Sequence, residues 1–197
     1  MRILVACELS GHVRDALIAN GHDAVSCDIE PSERPGPHIQ GDVRLVLNLG
    51  WDMMIGFPPC THLAVSGARH FAAKRADGRQ QQGIDFFMQL VNAPIPRVAI
   101  ENPVGVMSSI YRKPDQVIQP WQFGHDASKA TCLWLRGLPP LHPTNILPVP
   151  YRGYWANQTP SGQNRLGPSP DRARLRSATY HGIAQAMADQ WTPPEVT

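Results

Sequence analysis

"MMIGFPPCTHLAVSG", residues 53–67, decides how the rest of the chain is read. The apolar run at its start suits a strand buried on both faces. Pro58 and Pro59 end that strand, because proline cannot donate to a central ladder. The next residue is Cys60, so a thiol stands on a rigid base just past a strand end. In an open parallel sheet, that edge is where ligands bind.

Outward from this point the chain alternates in character. "RILVAC" (2–7), "DAVSCD" (23–28), "WDMMIGF" (51–57), "RVAIEN" (97–102) and "TCLWLRG" (131–137) read as strands. Val13, Ala16 and Leu17 fall at helical spacing, with Gly21 placed to end that helix. Ile84, Phe87, Met88 and Val91 form the buried stripe of another. The segment from Asp171 to Trp191 is helical in period through Ile183, Met187 and Trp191. Strands alternating with helices predict an α/β fold of Rossmann-like kind: an open, mostly parallel sheet with helices on both faces. Residues 137–170 are rich in proline, glycine and polar groups and read as one long loop, so residues 1–197 are expected to form a single domain. No internal repeat is visible.

Composition narrows the classes. The 197 residues carry a net charge of only +2, too little to identify a partner. No apolar run is long enough for a bilayer, and the N-terminus lacks the features of a signal peptide. Four scattered cysteines without a CxxC pair indicate neither a disulfide framework nor a zinc site. A soluble protein of a reducing cytoplasm, with no membrane partner, is the expectation. No histidine pair has ligand spacing on a helix, so no metal is expected.

Three chemistry-bearing residues fall at strand ends: Asp28, Cys60 and Glu101. A carboxylate about 20 residues beyond the first strand–turn–helix unit sits where a ribose hydroxyl is held. The turn "CELSGH" (7–12) has one glycine and not the glycine-rich phosphate fingerprint. A nucleoside cofactor without a pyrophosphate therefore suits it better than a dinucleotide. Cys7, Cys27 and Cys132 lie inside predicted strands and read as small core residues. Cys60 alone has neighbours that cannot be strand core.

At this point the sequence resembles a family. "DMMIGFPPCTHLAVSG" (52–67) resembles the catalytic loop of DNA (cytosine-5) methyltransferases, and "AIENPVG" (99–105) their Glu-Asn-Val segment, with Pro103 in place of the valine. "ELSGHVRDALIANGHDAVSCDIEP" (8–31) is similar to the cofactor loop and acidic second strand, "GDV" (41–43) to a third cofactor segment, and "GPSPDRARLRSATYHGIAQAMADQW" (167–191) to the closing motifs. The resemblance implies S-adenosyl-L-methionine as methyl donor and a cytosine base of DNA, flipped out of the stack, as acceptor. It implies Cys60 as nucleophile, Glu101 as the group on the N3 and amino edge of the base, and Pro59 and Asn102 as parts of the catalytic loop. It further implies Glu8, Ser10, Gly11, Asp28, Glu30, Asp42 and Phe57 around the cofactor, Asp28 on the ribose and Asp42 on the adenine. Ser66, Arg69, Lys129 and Thr131 become substrate contacts.

The chain departs from that pattern in three places. "SKATCLWL" (128–135) puts Lys129 and Thr131 where the family has two arginines, and threonine offers no planar fork of donors. Glu8, Ser10 and Gly11 replace the aromatic residue and glycine pair of the cofactor loop. The variable target-recognition domain is replaced by the proline-rich loop, whose Tyr151, Arg152, Tyr154, Trp155, Asn157 and Gln163 offer stacking or phosphate contacts but cannot read a long site. Recognition is then short, or supplied by a protein partner, or the substrate is a single strand or a nucleotide. A DNA- or partner-binding homologue with weak catalysis is the reading from another class. "RHFAAKRADGR" (69–79) and Arg172, Arg174 and Arg176 are further basic stretches, the latter three spread around a helix at i, i+2, i+4. The small size points to a phage or mobile-element origin.

Overall fold

The computed structural model describes residues 1–192; residues 193–197 of the expected domain lie outside the described part. One sheet of seven strands organises the chain, in the order β3-β2-β1-β4-β5-β7-β6. The strands are β1 (Arg2–Ala6), β2 (Asp23–Asp28), β3 (His38–Gln40), β4 (Met53–Gly56), β5 (Arg97–Pro103), β6 (Gln116–Ile118) and β7 (Thr131–Arg136). Strands β1 to β5 run parallel, and β7 is antiparallel to both β5 and β6. This is the expected Rossmann-like α/β sheet. Among the described residues no helix is long and apolar enough to cross a membrane.

Alternation along the strands builds two cores. Leu4 and Met54 face one side, where Phe87 and Leu90 of α3 (Arg79–Val91) pack with Trp134. Ile3, Val5 and Ile55 face the other, against Val13 and Leu17 of α1 (His12–Ala19) and Ile183 and Met187 of α6 (His181–Trp191). The chain winds from β1 outward to β3, then returns to β4 on the opposite side of β1. Loops after β1 and β4 therefore diverge, which opens a crevice at the carboxyl edge.

Register fixes what stands on that edge. Ala6 pairs with Cys27 and with Gly56, and Gly56 with Ile100. The next residues along each strand, Cys7, Asp28, Phe57 and Glu101, thus emerge side by side.

Two expectations change. Cys7 is not in the strand: it lies one residue beyond β1, half-buried, in the left-handed region at φ 58°. The turn there is tight because the amides of Cys7 and Glu8 both donate to the Cys27 carbonyl, at 2.7 and 3.4 Å. The helix from Asp171 to Trp191 is two helices, α5 (Arg172–Ser177) and α6, separated where Ala178 and Tyr180 become extended. α6 docks its first turn onto the backbone at Phe123, and a Cβ on Gly182 would lie 2.1 Å from that carbonyl. The "RHFAAKRADGR" stretch folds as a 3-10 turn (Val65–His70) leading into the short helix α2 (Phe71–Ala76), and another short helix, α4 (Met107–Ile110), follows β5.

Residues 137–170 contain neither helix nor strand, as expected, but they are pinned. The Gln116 side chain donates to and accepts from the Leu141 backbone at 2.7 Å. Trp155 stacks on Trp121 with ring centroids 5.8 Å apart, Arg152 pairs with Asp126, and Asn157 holds Ser128 through both its amide atoms. Trp155 and Asn157 are thereby committed to the fold and Arg152 is held in an exposed ion pair, which corrects the expectation that all three stand free for a ligand. Of that set Tyr151 remains fully exposed, and Gln163 lines a cleft.

Candidate functional site

Cys60 stands on a turn whose backbone is fixed from several sides. Its own carbonyl accepts from the amides of Leu63 and Ala64, each at 2.9 Å. The buried Asn102 side chain at the end of β5 donates to the Pro58 carbonyl at 2.7 Å. Lys74 of α2, also buried, donates to the Thr61 carbonyl, and Gln80 of α3 to the His62 carbonyl at 3.2 Å. Segment 104–106 completes the seat: Val65 donates to Val104 at 3.0 Å and Val106 to Leu63 at 2.9 Å. Every one of these bonds holds main chain, so the thiol is aimed by a rigid loop.

Lys74 and Gln80 escape sequence reading because a lysine in "AAKRA" looks like any solvated face. Burial of its ammonium on a carbonyl is a non-local fact. Replacing Lys74 by methionine keeps the stem and leaves the Thr61 carbonyl without its donor. A buried acceptor stranded in this way costs about 1–3 kcal/mol. A fall in Tm by thermal denaturation, with faster alkylation or proteolysis at the Cys60 loop, is the expected result.

Glu101 faces this loop from β5. The residue is half-buried, yet its Oε1 is inaccessible and has no hydrogen-bond partner among the described residues. Burial raises its pKa above the ordinary carboxylate value, and the Lys129 ammonium pulls it part-way back. The Cys60 thiol is also raised, first by burial and then by the Glu101 charge, with Lys129 and Arg176 acting in the opposite sense. Thiol, carboxyl and two cations therefore share one electrostatic neighbourhood. A carboxyl whose charged form is disfavoured is suited to donate a proton or a hydrogen bond near neutrality.

This gives a sign for stability. Glu101 ionises freely in the unfolded chain above its ordinary pKa but resists in the folded one. The stability that its neutral form preserves is complete below the unfolded value, 4.5. It is lost as pH rises from there through the raised folded value. Glu101→Gln has no such dependence. The variant's Tm should match wild type near pH 4.5 and exceed it increasingly toward the raised value, as differential scanning calorimetry across pH would read.

On the β1–α1 side the buried Glu8 is turned inward. Its carboxylate accepts from the Val13 and Arg14 amides at 2.8 and 3.4 Å, and from the Ser10 hydroxyl at 3.2 Å. Burial raises its pKa against those donors. It thus occupies the start of α1 where a phosphate would otherwise bind. Gly11, at φ 72°, leaves room for the buried Arg14, whose Nη2 would lie 2.6 Å from a Cβ there. Glu8, Ser10 and Gly11 are thus all buried beside the crevice, and the side chains of Glu8 and Ser10 serve the start of α1.

The other expected residues divide. Asp28 is half-buried at the end of β2, and one oxygen accepts from the Glu30 amide at 3.0 Å, leaving the second free of protein donors. Glu30 is exposed beside it, and Phe57 packs partly into the α1–α6 core. Asp42 caps the turn Val43–Leu45 and is paired through both oxygens with Arg44, which holds its carboxyl below the usual range. Pro59 is exposed beside Cys60, and Lys129 is half-buried near it. Thr131 is buried, with its hydroxyl proton donated to the Lys129 carbonyl at 3.1 Å, so it has no donor left for a ligand. Ser66 lines a cleft, whereas Arg69 is exposed with its Nε donated to His70.

No family model matches the sequence, and no curated protein matches it. Among solved structures, a similar one is that of a protein provisionally described as a DNA modification methyltransferase encoded within a prophage of E. coli. Identity is 17%, the TM-score is 0.49, and the match covers 77% of this chain and 53% of that one. The chain thus spans about half the length of that protein.

Proposed function

We propose that the chain is a methyltransferase that uses S-adenosyl-L-methionine to methylate C5 of cytosine in DNA through a covalent bond to Cys60. The observation that carries this reading is the pairing of a rigidly seated thiol with an unpartnered, inward-facing carboxyl at the ends of adjacent parallel strands. Addition of a thiolate to C6 of the ring moves the C5–C6 double-bond electrons onto C5. A hydrogen bond from neutral Glu101 to N3 stabilises the charge that the ring takes up. The unpartnered Oε1 supplies an unused hydrogen-bonding atom for that interaction.

The donor fits the crevice on one structural ground. Glu8 already fills the anion site at the start of α1, so a nucleoside cofactor without a phosphate is favoured over a dinucleotide. Asp28, with an oxygen free of protein donors, would hold the ribose, with Glu30 next to it and Phe57 alongside. Asp42 would reach an adenine amino group only by exchanging Arg44, an exposed pair of little net strength. When bound, the cofactor supplies an electrophilic methyl group to C5. Loss of the C5 proton to solvent and departure of the thiolate from C6 then restore the aromatic ring.

A 5-fluorocytosine oligonucleotide tests this, because fluorine at C5 cannot leave as a proton. Wild-type protein with tritiated S-adenosyl-L-methionine should give a covalent complex that carries label and survives denaturing electrophoresis. Cofactor binding without label or adduct, on single strands and duplexes alike, would sink the proposal.

A further inference from the structure

Most of the arginines are bound internally. Arg2, Arg34, Arg44, Arg79, Arg112, Arg152 and Arg174 each have a carboxylate within 4.0 Å, and Arg14 and Arg136 are tied to several groups of the fold. Arg172 and Arg176 are different: neither makes an ion pair or a side-chain hydrogen bond among the described residues. The two are four apart on α5 and so share a face, while Arg174 between them turns away to Glu33 at 2.6 Å. That shared face lines a cleft of about 520 Å³ whose far wall is Ser66, from the loop that carries Cys60. Gln163 and Asn164 add amide groups, and no carboxylate lines the cleft.

Two unpaired guanidinium groups beside a hydroxyl and two amides, with no carboxylate on the walls, form a receptor for an oxyanion. Leu166 and Pro168 supply the apolar part of the wall, and Arg165 adds a third guanidinium, one nitrogen of which donates to the Ala156 carbonyl at 3.2 Å. We propose that this cleft binds a phosphate of the substrate strand, with Arg172 and Arg176 as its principal ligands. For the nature of that substrate the proposal rests on the cytosine reading above, since the phosphate next to the presented base is the one within reach of the Ser66 wall. The site joins the last part of the proline-rich loop, residues 163–168, to α5, whereas Arg152, Trp155 and Asn157 earlier in that loop are engaged with the fold. Phosphate binding of this kind positions a strand without reading its sequence, so recognition by this face is sequence-tolerant.

The test measures affinity for a fluorescent cytosine-containing single-stranded oligonucleotide against salt, separately from the chemistry. Arg172→Gln/Arg176→Gln should bind at least about tenfold more weakly at low salt. The slope of log K against log salt should become shallower by about 0.7 for each phosphate that the variant no longer neutralises. Arg97→Gln/Arg174→Gln removes the same charge away from the cleft, Arg97 lying at the amino end of β5, and should behave as wild type. Displacement by deoxycytidine monophosphate but not by deoxycytidine, abolished in the cleft variant, would assign the phosphate to the target nucleotide itself. Displacement only by longer strands, abolished in the same way, would assign it to the flanking backbone. Identical affinity and slope in the cleft variant and the charge-matched control would overturn the site. The two readings separate cleanly: arginine-dependent binding without any fluorocytosine adduct in wild type keeps the cleft and removes the chemistry, whereas an adduct indifferent to Arg172 and Arg176 does the reverse.

Discussion

Alanine at position 60 should abolish both methyl transfer and covalent capture of 5-fluorocytosine, by at least about a thousandfold, with Tm nearly unchanged. Loss of a nucleophile removes the route and not merely part of a barrier, and effects of this size are typical of such residues. Stability is spared because the loop around Cys60 is held by its main chain. Leu63, Ala64, Asn102, Lys74 and Gln80 bind backbone atoms there, and none of those bonds involves the sulfur. The wild-type reaction should also show a pH signature. Burial and the Glu101 charge raise the Cys60 thiol above its ordinary value, so the thiolate is a minor species at neutrality. While that holds and Glu101 keeps its proton, the rate of adduct formation under subsaturating substrate should rise with pH, and it should level off where Glu101 ionises. Single-turnover kinetics from neutral into the alkaline range would read it. A Cys60→Ala protein that still transfers methyl groups would remove the thiol from the mechanism.

The sequence exposed the parts of this site that are local and hid those made at a distance. Strands β1, β2, β4, β5 and β7 could be read because each is a short run of apolar residues with a break at its end, such as Pro58 and Pro59 after β4. β3 and β6 could not, since three-residue strands carry no period. Cys60 and Glu101 were legible from their position at strand ends, and Asn102 from the motif that follows. The roles of Arg172, Arg174 and Arg176 were not. Spacing alone spreads them around a helix, and only the break at Ala178–Tyr180 and the partner Glu33 decide which of them faces the cleft. In the proline-rich loop the aromatic and charged residues looked available. Their partners Trp121, Asp126 and Ser128 lie roughly 25 to 35 residues earlier, beyond the reach of any pattern argument.

Gly105 shows why the "AIENPVG" segment ends as it does, and its replacement should be the most damaging small change in the catalytic loop. Its backbone is in an ordinary region, so conformation does not demand glycine. Space does. A Cβ at 105 would lie 2.3 Å from the Leu63 carbonyl oxygen and 2.9 Å from its carbon. That oxygen already accepts from Val106, and Ala64 and Gly105 face each other as a bridge. No side chain can swing aside, because both contacting atoms are main chain. Gly105→Ala must push segment 63–64 outward by about 1 Å, at a cost of about 1–3 kcal/mol as overpacking. For a chain of this length that is a fall in Tm of roughly 3–10 °C. The same displacement travels to Cys60, whose carbonyl is bonded to the amides of Leu63 and Ala64, and misplacement on this scale costs about a hundredfold in rate. Gly41→Ala, where a Cβ meets nothing within 4 Å, should leave Tm at the wild-type value. The decisive pattern is a joint loss of Tm and adduct rate in Gly105→Ala. Alanine accepted there with neither loss would mean that the two segments do not pack backbone to backbone, and the rigid seat assigned to the thiol would go with them.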